Sequence, residues 1–443
     1  MQHGRCTKSL RSENAPYLQG MSGRTLRMLV LVACGMWATA GRAAHILIPM
    51  DGSQANHLKA YGIAFWVLEQ DVPIEWLLNY RGGSFLLPNV GTIATECVVR
   101  GVSHQVIADV QAQSIRDEIS DPEVNMERVK LEVVPRIAVY SPEGKQPWDD
   151  AVTLVLEYAE IPYDVVYDAE VLAGDLVNYD WLHLHHEDFT GQYGKFYKNY
   201  RNAVWYQEEV RTQEASARTL GFRKVSAMKR EVALRIRDFV LGGGFLFTMC
   251  SGTDSFDIAL AAAGTDIVES VFDGDPAAAD AQRALDFNQG LAFQNYALIT
   301  DPNFYEFSDI DATEDHVKIQ QINDFFMLFD FSAKWDIVPT MLTQSHERVI
   351  RGFMGQTTAF RSTFIRPDVT VMGETRNARS AKYIHGVLGE GQWTYYGGHD
   401  PEDYRHLVND RHTDLSLHPN SAGYRLILNN ILFPAAKKQE RKT

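Results

Sequence analysis

Apolar residues in this chain recur with two periods. Short runs of strand character alternate with longer stretches at helical spacing. Residues 45–50 and 74–80 read as strands, and the stretch 54–70 between them reads as a helix with Leu58, Tyr61, Ala64, Phe65 and Leu68 on its apolar side. Strand, helix, strand in that order predicts a parallel pairing. A second helix is expected at about 92–101, and the charged stretch 118–132 reads as a surface helix or linker. From Val133 the alternation becomes regular. Strands are predicted at 136–140, 163–167, 179–186 and 245–249, with helices at 148–160 and 224–241. This pattern predicts an α/β fold built on a doubly wound, mostly parallel sheet, with a smaller α/β unit before it.

The remaining stretches set the domain boundaries. Residues 264–365 are aromatic-rich and irregular, and read as an insertion that packs on the sheet and walls a pocket. Two alternating runs around Gly389-Glu390-Gly391 predict a hairpin, and 421–432 a closing helix. The expected division is 1–44 leader, 45–130 small N-terminal α/β domain, 131–436 main domain with its insertion, and 437–443 basic tail.

The leader reading rests on composition. Positive charge at 21–28 precedes a short apolar run over 29–40, and Ala38-Thr39-Ala40 fits a small-x-small cleavage site, with Ala43 and Ala44 as alternatives. Met21 is an alternative start. Leu31-Val32-Ala33-Cys34 matches a lipobox, so a lipid anchor at Cys34 stays open. Export to the periplasm or beyond is expected, without a membrane span. Over the full 443 residues the net charge of −15 argues against nucleic acid or anionic lipid as main partner. A small-molecule substrate or ligand is expected, and the pattern says nothing of oligomeric state. Beyond the leader only Cys97 and Cys250 are left, and we expect free thiols rather than a disulfide.

Candidate chemistry collects after the 245–249 strand. Cys250 stands at the strand tip, Ser251 and Gly252 turn the chain, and Asp254 or Ser255 is placed to cap the helix that follows. A thiol above the carboxyl end of a parallel sheet, at a helix N-terminus, is favoured as thiolate. Three readings compete. Cys250 is a nucleophile, Ser251–Ser255 is a pyrophosphate loop, or the thiol is a small buried hydrophobe. His183, His185, His186, Glu187 and Asp188 end the 179–186 strand, and the loop there is expected to rim the site, with His185, His186 and Glu187 facing substrate. No metal and no cofactor is expected, because nothing fixes further ligands. Arg81, beside Gly82 and Gly83, is a candidate for holding a carboxylate or phosphate. Near the end, Gly397-Gly398-His399 brings the backbone close to something and then presents an imidazole, with Asp400 and Glu402 following.

Strand, Cys250, turn and helix, then a late hairpin, Gly-Gly-His399, an acid and a terminal helix, resemble the class I glutamine amidotransferase-like superfamily. Within it the hairpin and Gly-Gly-His are similar to the trehalose-utilisation-type branch. The resemblance spans about 133–435 and implies a flavodoxin-like sheet with a Cys–His–Glu triad. Here the triad falls on Cys250, His399 and Glu402. The family's usual His-Pro-Glu is replaced by His399-Asp400-Pro401-Glu402, so Asp400 competes with Glu402. Ser251 and Gly252 would bind the substrate oxygen. The implied activity is that of a cysteine hydrolase or amidase, or of a catalytically silent binding protein. The whole chain also resembles a group of exported bacterial proteins that carry an asparagine synthetase label. That implies a third activity, an ATP-dependent synthetase using 251–255.

Overall fold

The computed structural model describes residues 43–142 and 146–436. The leader pattern up to residue 42, with Met21 and Cys34, and the basic tail lie outside the described residues.

An antiparallel sheet comes first. Its strands are β1 (Ala43–Ile48), β2 (Ile74–Leu78), β3 (Ser84–Pro88), β4 (Gln105–Ala108) and β5 (Glu127–Leu131), in the order β4-β1-β3-β2-β5. Helix α1 (His57–Glu69) connects β1 to β2, α2 (Ile93–Val99) follows β3, and α3 (Asp109–Ser120) follows β4. The expected parallel pairing of the first two strands is therefore corrected. Ser84–Pro88 pairs back on both, so β3 separates them and every ladder in this sheet is antiparallel. Likewise the charged stretch after Glu118 yields a helix end and then a strand.

The second sheet is mixed, in the order β11-β10-β13-β14-β15-β9-β8-β6-β7. Strands β6 (Ile137–Tyr140), β7 (Asp164–Val166), β8 (Trp181–Leu184), β9 (Phe245–Met249) and β15 (Gly391–Tyr396) run parallel. β10 (Phe325–Leu328), β11 (Val349–Arg351), β13 (Thr370–Thr375) and β14 (Ser380–Leu388) extend it antiparallel, and β12 (Phe360–Arg361) pairs with β14. The expectation of a mostly parallel sheet thus holds only on one side of β15. The fold is α/β. The insertion supplies strands β10 to β12 as well as loops.

Both faces of the parallel strands are covered, as a buried parallel sheet requires. Val139, Trp181, Phe247 and Met249 share one core with α1, α4 (Ala151–Ala159) and the C-terminal helix, and Ile46, Trp76 and Phe85 of the first sheet pack into that same core. Ala138, Leu182, Leu184 and Leu246 face the other way, onto α6 (Val225–Leu241). Helix α5 (Val204–Thr219) packs outside α6. Helix α7 (Ser251–Ala261) follows β9, and α8 (Ala422–Leu432) closes the chain. Among the described residues no helix is long and apolar enough to cross a membrane.

Candidate active site

Register brings the site together. Leu184 of β8 pairs with Thr248 of β9, and Tyr396 of β15 pairs with Met249. Three parallel strands therefore end side by side. Their next residues are His185 and His186, Cys250, and Gly397-Gly398-His399.

Cys250 makes the turn alone. Its φ of 51° and ψ of −140° take the chain from β9 straight into α7, whose first residue is Ser251. A non-glycine residue at positive φ is strained, and such strain collects at functional sites. The expected cap at Asp254 or Ser255 is corrected accordingly, since both lie inside the helix. Gly252 fits here because a Cβ would lie 2.3 Å from the His185 carbonyl oxygen, to which its own N–H donates at 2.6 Å. That contact locks the β8 loop against the elbow.

The late Gly-Gly pair meets the insertion. Gly398 has φ +93°, and a Cβ there would lie 2.6 Å from Phe353. Its N–H donates to Thr357 O at 2.8 Å, and its carbonyl accepts from Cys250 N at 3.2 Å. His399 N donates to Met354 O at 2.9 Å. The insertion thus places the 354–358 loop against the thiol, and Gln356 N–H donates to Cys250 Sγ at 3.3 Å.

Cys250 and His399 face each other closely enough for each to shift the other's titration. Burial, the largest effect, would raise the thiol pKa. The His399 hydrogen bond and charge, with the Gln356 and Ser251 amides, outweigh it and bring it below the usual value. Burial would likewise lower the imidazole pKa, but Asp149 and Cys250 push it up to about 10. The charged imidazole thus favours the thiolate, and the thiol in turn favours the charged imidazole. Asp149 Oδ1 lies 3.4 Å from His399 Nε2 and 3.2 Å from His406 Nε2, and Thr413 N–H donates to Oδ2 at 3.3 Å.

The acid on His399 is thus Asp149, from the loop between β6 and α4. Glu402 instead pairs with His418 at 3.1 Å. Asp400 is buried, with Oδ1 accepting the Glu402 N–H at 2.8 Å. Neither reaches the His399 ring through a hydrogen bond. One signal could have found Asp149: Asp149-Asp150 opens a crossover helix after the carboxyl end of a parallel strand, where α/β ligand sites lie. Gln356 left no such trace, because its approach depends on the fold of the insertion.

The histidine strand end is buried. His183 Nε2 and His185 Nδ1 lie 3.1 and 3.2 Å from Asp150 Oδ2. Asp150 thus faces His185 Nδ1, and His185 Nε2 has no partner. Burial first, and then the His399 charge, lower the His185 pKa to about 4 despite Asp150. Burial and the neighbouring imidazoles hold His186 well below the ordinary range. Trp148 meets the His186 ring edge-on at 5.3 Å and stacks on Phe196 at 5.4 Å.

Two sequence candidates face elsewhere. Glu187 turns into the core, accepting from Tyr167 Oη at 3.0 Å with Lys229 at 3.9 Å. Arg81 lies in the first sheet, where its guanidinium is engaged by Asp51 at 2.8 Å and Ser53 at 3.0 Å. In the 251–255 stretch the Thr253 hydroxyl is spent on Cys250 O and that of Ser255 on Glu187 O. Cys97 and Cys250 are both free and buried. Burial raises the Cys97 thiol to about 11. Cavities open elsewhere: one of about 480 Å³ lies along α5, and one of about 340 Å³ lies beside Glu402 and His418.

No protein-family model matches the chain, and no curated protein matches it. Among solved structures it is similar to Gan42B, a GH42 β-galactosidase from G. stearothermophilus, at 13% identity and TM-score 0.27. That match covers 60% of this chain and 28% of Gan42B. Cytoplasmic Protein STM3548 from Salmonella typhimurium matches at 11% identity and TM-score 0.32, over 69% of this chain and all of that one. The exo-β-1,4-mannosidase Op5Man5 from Opitutaceae bacterium strain TAV5 matches at 10% and 0.26, over 66% and 35%. The chain therefore spans about a quarter to a third of the two glycosidases. Likeness at this level carries no argument about activity.

Proposed function

We propose that this protein is a class I glutamine amidotransferase-like thiol hydrolase acting on an amide-type carbonyl. The strand order β7-β6-β8-β9-β15, flavodoxin-like in its parallel part, supports the fold reading. The observation that carries the activity is the strained Cys250 elbow, set beside an imidazole that a buried aspartate holds from behind.

The steps follow from that geometry. The Cys250 thiolate attacks the carbonyl carbon, a C–S bond forms, and the C=O electrons move to oxygen. The Ser251 and Gln356 N–H groups, which already face the sulfur, are the donors for that oxyanion. The His399 imidazolium gives its proton to the leaving amine as the C–N bond breaks. Water then attacks the thioester, its proton returns to His399, and thiolate is released. Asp149 orients the ring and stabilises its charged form. Export through the leader is part of the same reading.

One observation favours the silent-binding alternative: Cys250 is only 3% exposed. Iodoacetamide labelling at neutral pH separates the two. In the catalytic reading Cys250 is modified at least a hundredfold faster than Cys97, the internal control, and His399→Ala removes the difference. Equal, slow labelling of both thiols overturns the activity and leaves a binding protein. In the synthetase alternative the 251–255 stretch binds pyrophosphate, where the hydroxyls of Thr253 and Ser255 are engaged and that of Ser251 is not. A thermal shift with millimolar ATP and magnesium would support it.

A further inference from the structure

We propose that His185, His186 and His399 form a site for a divalent first-row transition ion, and that filling it takes the His399 imidazole away from Cys250. Ligand atoms of the three rings lie within 4.8 Å of one another. The rings are stacked or tilted together, with centroids 4.4 Å apart for His185 and His186 and 4.6 Å for His185 and His399. A tetrahedral zinc with nitrogen bonds of about 2.0–2.1 Å needs ligand separations of roughly 3.4 Å, so the three rings turn out of their stack and draw together when the ion binds.

Two independent observations point to a ligand. His185 is 1% exposed, and its Nε2 has no partner. A buried polar group left so is costly and calls for a ligand. His186 Nδ1 is orphaned in the same way. Further, each end of the cluster has a carboxylate behind it. Asp150 Oδ2 lies 3.2 Å from His185 Nδ1, and Asp149 Oδ1 lies 3.4 Å from His399 Nε2. A carboxylate on the far nitrogen is the arrangement that orients metal-bound histidines. Imidazole donors favour zinc, copper, nickel or iron over magnesium and calcium. The half-buried His186, beside Trp148, gives the ion its approach. A metal-bound imidazole is not an imidazolium, so an ion on His399 withdraws the charged ring from Cys250, and ion binding and thiol chemistry oppose each other.

The test uses the whole chain after chelator treatment and dialysis. Calorimetric titration with zinc is expected to show a single ion bound. His186→Gln and His185→Asn are each expected to weaken binding about tenfold to a hundredfold. One equivalent of zinc is also expected to slow iodoacetamide labelling of Cys250 at least tenfold in the wild type but not in His186→Gln. Absence of binding heat, or variants that bind as tightly as wild type, overturns the proposal. Should His185→Asn fail to fold, the half-buried His186→Gln alone decides. This inference shares His399 with the thiol reading, yet the two fail separately. A thiol that stays unreactive in metal-free protein sinks the hydrolase and leaves the calorimetry standing.

Discussion

At the scale of single residues, the site is built from groups whose neighbours decide their charge. Asp149 holds His399 in its charged form, and His399 in turn holds the thiolate. Replacing Asp149 by Asn keeps the shape but removes the charge. In metal-free protein the apparent thiol pKa is then expected to rise by about one unit, and labelling at pH 7 to slow by about tenfold. An unchanged pH profile would assign the orienting role elsewhere. Asp254 shows the opposite case. It is fully buried, and only one of its oxygens has a partner, the Thr357 hydroxyl at 2.7 Å. Burial raises its pKa from 3.8 to about 7, against the Thr357 bond. A raised carboxylate binds its proton more tightly when folded, so the protein loses stability as pH rises from about 4 to about 7. Asp254→Asn removes that loss while keeping an oxygen for Thr357. Its melting temperature should exceed wild type at pH 8, with the gap closing towards pH 4. A constant gap across that range would refute the titration.

At the scale of elements, the elbow was readable from sequence because its signal is local. Three glycines, an apolar run and a cysteine delimit β9, and the strand falls on the predicted residues. The alternation of strands and helices from 137 to 249 was readable for the same reason. What escaped reading depends on distant approach. Ser84–Pro88 follows Arg81-Gly82-Gly83 and looks like loop until β1 and β2 are both seen to pair with it. Asp149 looks like part of a helix start until β15 delivers His399 beside it. Gly252 links the two levels. A methyl group at 252 would meet the His185 carbonyl at 2.3 Å, so either the β8 loop or the elbow helix must shift. Gly252→Ala is expected to cost about 1–3 kcal/mol, as overpacking does, and to slow Cys250 labelling because the loop contact sets the elbow. Denaturant titration and labelling together check it. A variant of lower stability with wild-type labelling would show that the β8 loop does not set the elbow.

At the scale of the whole molecule, the two sheets are joined through the C-terminal helix. Arg425 of α8 is fully buried, and its guanidinium donates to Tyr61 Oη at 2.9 Å, to Met50 O at 3.0 Å and to Gly82 O. Asn429 carries the link onward, donating to Gln344 O at 2.6 Å and Leu342 O at 3.2 Å. The same helix packs on α1 and α4 in the core that also takes Phe247 and Met249 beneath the elbow. The first and last described segments are thus held with the centre by one core. Without the first sheet and α1, an apolar face of α8 and α4 would meet water, and Arg425 would lose all three of its acceptors. Arg425→Met should cost several kcal/mol, since each stranded carbonyl or hydroxyl loses about 1–3 kcal/mol. A chain starting at residue 132 should fail to fold cooperatively, showing dye-binding apolar surface and no sharp thermal transition. A cooperative transition in that truncated chain would instead make the first sheet a separable unit, and the Cys250 site would then owe it nothing.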